Sequence, residues 1–216
     1  MTPEDFIKAN AALTAPPLVP EITLHLATEV VPLWRATEEE LEKIGVPPPY
    51  WAFAWAGGQA LARYVLDHPE LVAGKRVLDI GAGSGLVGLA AARAGAHHVL
   101  AADIDAFARA AIRLNAAANS CDIAVTAEDL IGAALAWDVI LVGDLFYERP
   151  LAERLLAWLG PLGVLALLGD PGRNYFPKTC VEKLASYSVQ TTRDLEDREI
   201  RETGVYRLLP GAAALG

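Results

Sequence analysis

From residue 57 onward the chain alternates between short apolar runs and longer stretches with apolar residues every third or fourth position. The runs suit buried parallel strands and the stretches suit amphipathic helices. Strands are predicted over 76–80, 98–102, 123–126, 137–142 and 163–168, with helices over 59–67, 85–94, 106–118, 151–159 and 178–185. Two last runs, 187–193 and 205–209, are joined by a short polar connection and predict a terminal hairpin. The fold class implied is α/β: a doubly wound, Rossmann-like sheet, parallel except at one edge.

Residues 1–56 read differently. Pro3-Glu4-Asp5 opens a helix over 3–12, and 21–26 alternates as a strand with Ile22, Leu24 and Leu26 on one face. Thr37-Glu38-Glu39-Glu40 has the form of a capping box opening a helix to Ile44, which Gly45 ends. Pro47-Pro48-Pro49 then imposes an extended approach to Tyr50 and Trp51. This segment has too few apolar residues for its own core. The organisation expected is an appendage, 1–56, on one domain, 57–216.

Composition narrows the classes. A chain of 216 residues fits one domain. It is 53% apolar, but its richest stretch, 77–96, is broken by Asp79, Ser84, Arg93 and several glycines, so no membrane span is expected. The first twenty residues carry Glu4, Asp5 and Lys8 and lack a leader pattern, which makes the cytoplasm the expected location. Cys121 and Cys180 have no metal-ligand spacing, so reduced thiols and no metal are expected. The net charge of −9 repels a nucleic-acid backbone and attracts a basic partner surface, or simply keeps the protein soluble.

The strongest chemical signal is Val77-Leu78-Asp79-Ile80-Gly81-Ala82-Gly83-Ser84-Gly85. Glycines at alternate positions after an apolar strand let a ligand approach the backbone, and the next helix points its amides at it. A dinucleotide fingerprint needs a third glycine at 86, where this chain has Leu86. The spacing and the preceding Asp79 suit a methionine moiety and ribose better than a pyrophosphate. Asp103 ends the second strand, about 20 residues on, where a carboxylate accepts hydrogen bonds from ribose hydroxyls. Asp105 reads as the cap of the following helix. Glu128-Asp129 follows the third strand, either at the adenine edge or as a solvated loop. Asp144-Leu145-Phe146-Tyr147 ends the fourth strand beside the topological switch point. There Asp144 is suited to hold an amine, with Phe146 and Tyr147 as walls for its alkyl chain and charge.

These residues resemble the seven-strand, class I S-adenosylmethionine-dependent methyltransferases. Within them the chain resembles the protein-lysine branch called methyltransferase family 16, and the enzymes that methylate lysines of the electron transfer flavoprotein β-subunit. The likeness is carried by Trp55-Ala56-Gly57-Gly58-Gln59, the 79–85 loop, Ala102-Asp103-Ile104-Asp105, Gly143-Asp144-Leu145-Phe146-Tyr147 and Gly169-Asp170-Pro171-Gly172-Arg173. Ala56 departs from the proline common at that place.

The resemblance implies S-adenosylmethionine as cofactor, held by Trp55, Asp79, Gly81, Gly83, Gly85, Asp103, Glu128 and Asp144. It implies Asp144 and Tyr147 as catalytic residues, and Phe146, Tyr147 and Arg173 against the substrate; Arg173 has a second reading, pinning its turn. The partner implied is a protein presenting lysine, the flavoprotein β-subunit or a ribosomal protein, with no nucleic acid, no membrane and a monomeric enzyme. Two other functions compete: an N-methyltransferase of small amines such as nicotinamide, and a non-catalytic cofactor-binding module.

Overall fold

The computed structural model describes residues 1–27, 48–134, 137–191 and 200–211. The helix expected over 37–44 lies outside them. Strands β3 (Arg76–Ile80), β4 (His98–Ala102), β5 (Ala124–Thr126), β6 (Val139–Gly143), β7 (Leu165–Asp170), β8 (Val181–Gln190) and β9 (Ile200–Leu208) form one seven-stranded sheet. Its order is β5-β4-β3-β6-β7-β9-β8. The first five strands run parallel, while β9 lies antiparallel between β7 and β8. The sheet therefore winds outward both ways from the β3–β6 pair, and the crevice at that reversal opens at the strands' carboxyl ends. Among the described residues no helix is long and apolar enough to cross a membrane.

Strand alternation builds two cores. Val77, Val99, Leu141, Leu167 and Val205 pack on one face, against α2 (Ala56–Asp67) and α3 (Leu86–Arg93). Leu78, Ile80, Ile140, Val142 and Leu168 pack on the other, against α5 (Arg149–Leu162). A third cluster joins Ile7 of α1 (Pro3–Asn10) and Trp51 to alanines of α4 (Ala106–Ala118). Asp105 caps α4, accepting from the Phe107 N–H at 2.9 Å, as its sequence position implied.

The first 27 residues also dock on α4. Strands β1 (Ala12–Thr14) and β2 (Leu24–Leu26) pair antiparallel. Asn119 Oδ1 accepts from Thr23 N–H at 3.0 Å, and fully buried Asn115 accepts from His25 N–H at 2.8 Å. The Asn115 amide then donates to the Ser84 carbonyl at 2.8 Å, which ties this segment to the glycine loop.

One expected element is wrong. Residues 178–185 are not a helix; from Val181 they run into β8, paired with β9 along its length. A β-bulge between Lys183 and Ala185 shifts the strand's alternation by one residue. Val181, Leu184 and Ala185 thereby take the i, i+3, i+4 spacing that signals a helix. The β7–β8 connection is consequently a loop, and it holds Arg173.

Backbone meets backbone closely where α2 crosses the end of the sheet. A Cβ added to Gly57 would collide with the Gly169 carbonyl oxygen, and one added to Gly169 would collide with the Gly57 carbonyl. Only glycine on both sides permits this crossing. Gly169→Ala is expected to cost about 1–3 kcal/mol, as overpacking does. Thermal unfolding should show a midpoint lower by roughly 3–10 °C; an unchanged midpoint contradicts the packing described.

Candidate active site

The glycine loop after β3 follows from its backbone angles. Gly81, Gly83 and Gly85 have φ of 61°, 54° and 81°, a region that residues with a Cβ rarely adopt. Leu145 packs so closely over Gly81 that an added Cβ would come within 2.7 Å of its methyl carbons. Gly85 caps α3 and packs against Ile112, behind the loop. Asp79, 1% exposed, accepts from the Gly88 N–H at 2.8 Å and so fixes α3 on β3. Burial pushes its carboxyl up to about 7, against the pull of that amide.

Beside this loop lies a cavity of about 530 Å³, in the range of cofactor pockets. Of the residues expected to hold a cofactor, Trp55, Gly81, Gly83, Asp103, Glu128 and Asp144 line it; Asp79 lines a smaller cavity on the same loop, and Gly85 lines neither. Asp103 Oδ2 accepts from Gly83 N–H at 2.8 Å and Oδ1 from Asp105 N–H at 2.9 Å, which aims the carboxylate from the end of β4. Burial raises its pKa, opposed by those two amides. Glu128 is exposed at the rim.

Apolar linings without an assigned role in the sequence include Ile104, Leu130 and Ile131. Ile104 carried a usable signal. It follows Asp103 past the end of β4 and is 74% exposed, with no core to serve. This half of the cavity offers a carboxylate for a sugar diol, bare backbone at Gly83 and an apolar surface for a base. Those features fit an adenosyl group.

The other half is organised by Asp144. Its φ of 59° is left-handed, which is uncommon outside glycine and clusters at functional sites. The Gly169 carbonyl accepts its N–H at 3.0 Å and holds that conformation. The side chain is only 7% exposed. Its Oδ2 accepts the N–H groups of Gly57 and Gly58 in the first turn of α2, where a helix favours an anion. Its Oδ1 meets Arg173, with Nε at 2.8 Å and Nη2 at 2.7 Å.

The Arg173 guanidinium also lies 5.7 Å from the Trp55 ring centroid. Trp55 is set by its Nε1–H, which donates to the Tyr50 carbonyl at 2.9 Å. Tyr50 packs 6.1 Å from Trp55 and 6.0 Å from Tyr147, between centroids. Tyr50 and Tyr147 are 51% and 41% exposed, so this aromatic rim is reached from outside. Burial raises the Tyr147 phenol above its ordinary value.

Phe146 requires a correction. It is fully buried on the α5 face, edge-on to Phe176 at 5.4 Å, and is absent from the cavity lining. The left-handed turn at Asp144 sends Leu145 and Tyr147 to the cavity and Phe146 to the core. Its role is packing.

Comparison with known proteins places the chain in a family. A family model described as ribosomal protein L11 methyltransferase (PrmA) matches residues 59–145. The magnesium protoporphyrin IX methyltransferase of Synechocystis PCC 6803, solved with bound SAH, superposes with a TM-score of 0.52. It is 16% identical, over 70% of this chain and 81% of its own, a likeness of fold alone. The electron transfer flavoprotein β-subunit lysine methyltransferase of Xenopus laevis is 40% identical over 96% of this chain and 87% of its own length. The human protein of that name is 35% identical over 95% and 81%. Likeness of this strength along nearly the whole chain shows that it belongs to the electron transfer flavoprotein β-subunit lysine methyltransferase family.

Proposed function

We propose that this enzyme methylates lysine side chains of a protein, with S-adenosylmethionine as donor and the electron transfer flavoprotein β-subunit as acceptor. The observation that carries the reading is the union of two half-sites in one cavity. Gly81, Gly83 and Asp103 line one half, and Asp144 under an exposed aromatic rim lines the other. The acceptor is that for which the relatives are named; the ribosomal protein for which less similar relatives are named is the second candidate.

When bound, S-adenosylmethionine supplies an electrophilic methyl group on a sulfonium centre. Asp103 would hold its ribose, and Ile104, Leu130 and Ile131 would cover its base, with Glu128 at the rim. A lysine from outside passes Tyr50, Trp55 and Tyr147, whose rings exclude water and attract its charge. Asp144, fixed by two amides and a guanidinium, orients the amine and accommodates the positive charge that transfer leaves on nitrogen. An ordinary lysine has a pKa near ~10.4, so partial burial at this rim helps by favouring the uncharged nucleophile.

Residues 1–56 we read as an appendage of the catalytic domain 57–216. The packing of α1 and the β1–β2 hairpin on α4, and the share of Pro48, Tyr50 and Trp55 in the cavity wall, support this. A cytoplasmic monomer is the form proposed; the free thiols Cys121 and Cys180 suit a reducing compartment.

Incubating the enzyme with tritiated methyl donor and cell lysate tests the reading. Label in a protein band is expected, and label confined to small molecules would contradict it. Asp103→Ala should weaken binding of the demethylated product by roughly 10- to 100-fold in calorimetry, the cost of a charge-assisted hydrogen bond; unaltered affinity would remove Asp103 from the site. Asp144→Ala should lower turnover by about 100-fold or more while product binding survives, as expected when a reacting group loses its alignment. Undiminished turnover in that variant refutes the role given to Asp144.

A further inference from the structure

The Gly169-Asp170-Pro171-Gly172-Arg173 segment does more than turn the chain after β7. Asp170 is 1% exposed. Its Oδ1 accepts the backbone N–H groups of Gly172 and Arg173, both at 2.7 Å. Its Oδ2 is buried and has no hydrogen-bond partner among the described residues. The two amide contacts fix the backbone from which the Arg173 side chain leaves, and that side chain ends on Asp144 Oδ1. Both members of the ion pair are largely shielded, with side chains 18% and 7% exposed, so water and salt screen their interaction weakly.

The chemistry of the nucleophile gives this arrangement a purpose. A buried carboxylate facing an incoming lysine favours the ammonium form, which has no lone pair to attack with. Asp144 alone would therefore oppose the reaction it helps to align. A guanidinium on the same carboxylate offsets that effect, so that the site no longer biases the amine toward its protonated form.

We propose that Arg173 partly offsets the charge of Asp144, so that the lysine amine enters uncharged while the carboxylate still faces the charge formed on transfer, and that Asp170 is the positioning residue that sets Arg173 in place. This deepens, and rests on, the reading of the cavity as a lysine methyltransferase site.

Among the surrounding titratable groups, Asp170 on β7 interacts with both members of the pair, and Tyr206 on β9 with Asp170. Tyr147 after β6 interacts in turn with Tyr50 at the rim, Glu148 and Asp103. Burial raises both tyrosines, 147 and 206, and pushes Asp170 up to about 7. Arg154, the other arginine lining the cavity, is engaged with Asp129 at 2.6 Å. Among the described lining residues, the charge that balances Asp144 is thus that of Arg173.

The test is the pH dependence of kcat for the full chain, with saturating S-adenosylmethionine and recombinant flavoprotein β-subunit, since kcat reports groups in the substrate complex. Arg173→Gln should move the acid limb to higher pH by about one unit, read as a roughly tenfold loss near neutrality that recovers in alkali. Asp170→Ala should move it the same way. Asp170→Asn, which keeps the accepting oxygen, should restore the wild-type limb. Thermal unfolding and product calorimetry establish that each variant is folded; if Arg173→Gln is not, the Asp170 pair decides. A loss of turnover that is equal at every pH, or an unmoved limb, overturns the inference while wild-type methylation leaves the lysine reading intact. Absence of wild-type methylation of lysine overturns that reading and this inference with it.

Discussion

The carboxylate of Asp144 is held in a place that only several concurrent contacts make tolerable. Burying an ionised group costs several kcal/mol unless it is paired and hydrogen-bonded. Two amides at the start of α2 and the guanidinium of Arg173 meet that need. The residue also sits at a φ of 59°, which the Gly169 carbonyl secures. Much of the surrounding architecture serves this arrangement. Gly57 and Gly169 are bare so that α2 can cross the sheet end closely enough for its amides to reach the carboxylate. The β7–β8 connection is a loop so that Arg173 can return to it.

The topology explains why the two half-sites share one cavity. The order of the sheet places β3 and β6 side by side, with β4 and β7 flanking them. The residues following β3 and β4 shape the adenosyl side, while those ending β6 and β7 shape the amine side. Because all four strands run parallel, their carboxyl ends meet on one edge. The N-terminal segment closes the remaining wall through Tyr50 and Trp55, so the site is finished by residues far from it in sequence.

The parallel strands and their helices were legible because each follows a single periodicity. The glycine loop and Asp103 were legible because backbone access and a ribose-binding acid demand particular residues at a particular separation. Local pattern failed where a local irregularity altered the spacing. The bulge in β8 gave Val181, Leu184 and Ala185 a helical rhythm, and the left-handed turn at Asp144 sent Phe146, expected against the substrate, into the core. Neither irregularity has a glycine to announce it. The Asp144–Arg173 pair joins residues 29 positions apart across two strands, and no short-range pattern encodes it. The gain from structure was therefore greatest on the amine side of the cavity.

Mass spectrometry of the flavoprotein β-subunit, before and after incubation with the enzyme and S-adenosylmethionine, decides whether the cavity serves a protein lysine. Mass gains in whole methyl increments are expected, mapped by fragmentation to lysine side chains. An acceptor of unchanged mass, alongside methylation of a free small amine by the same enzyme, would contradict it.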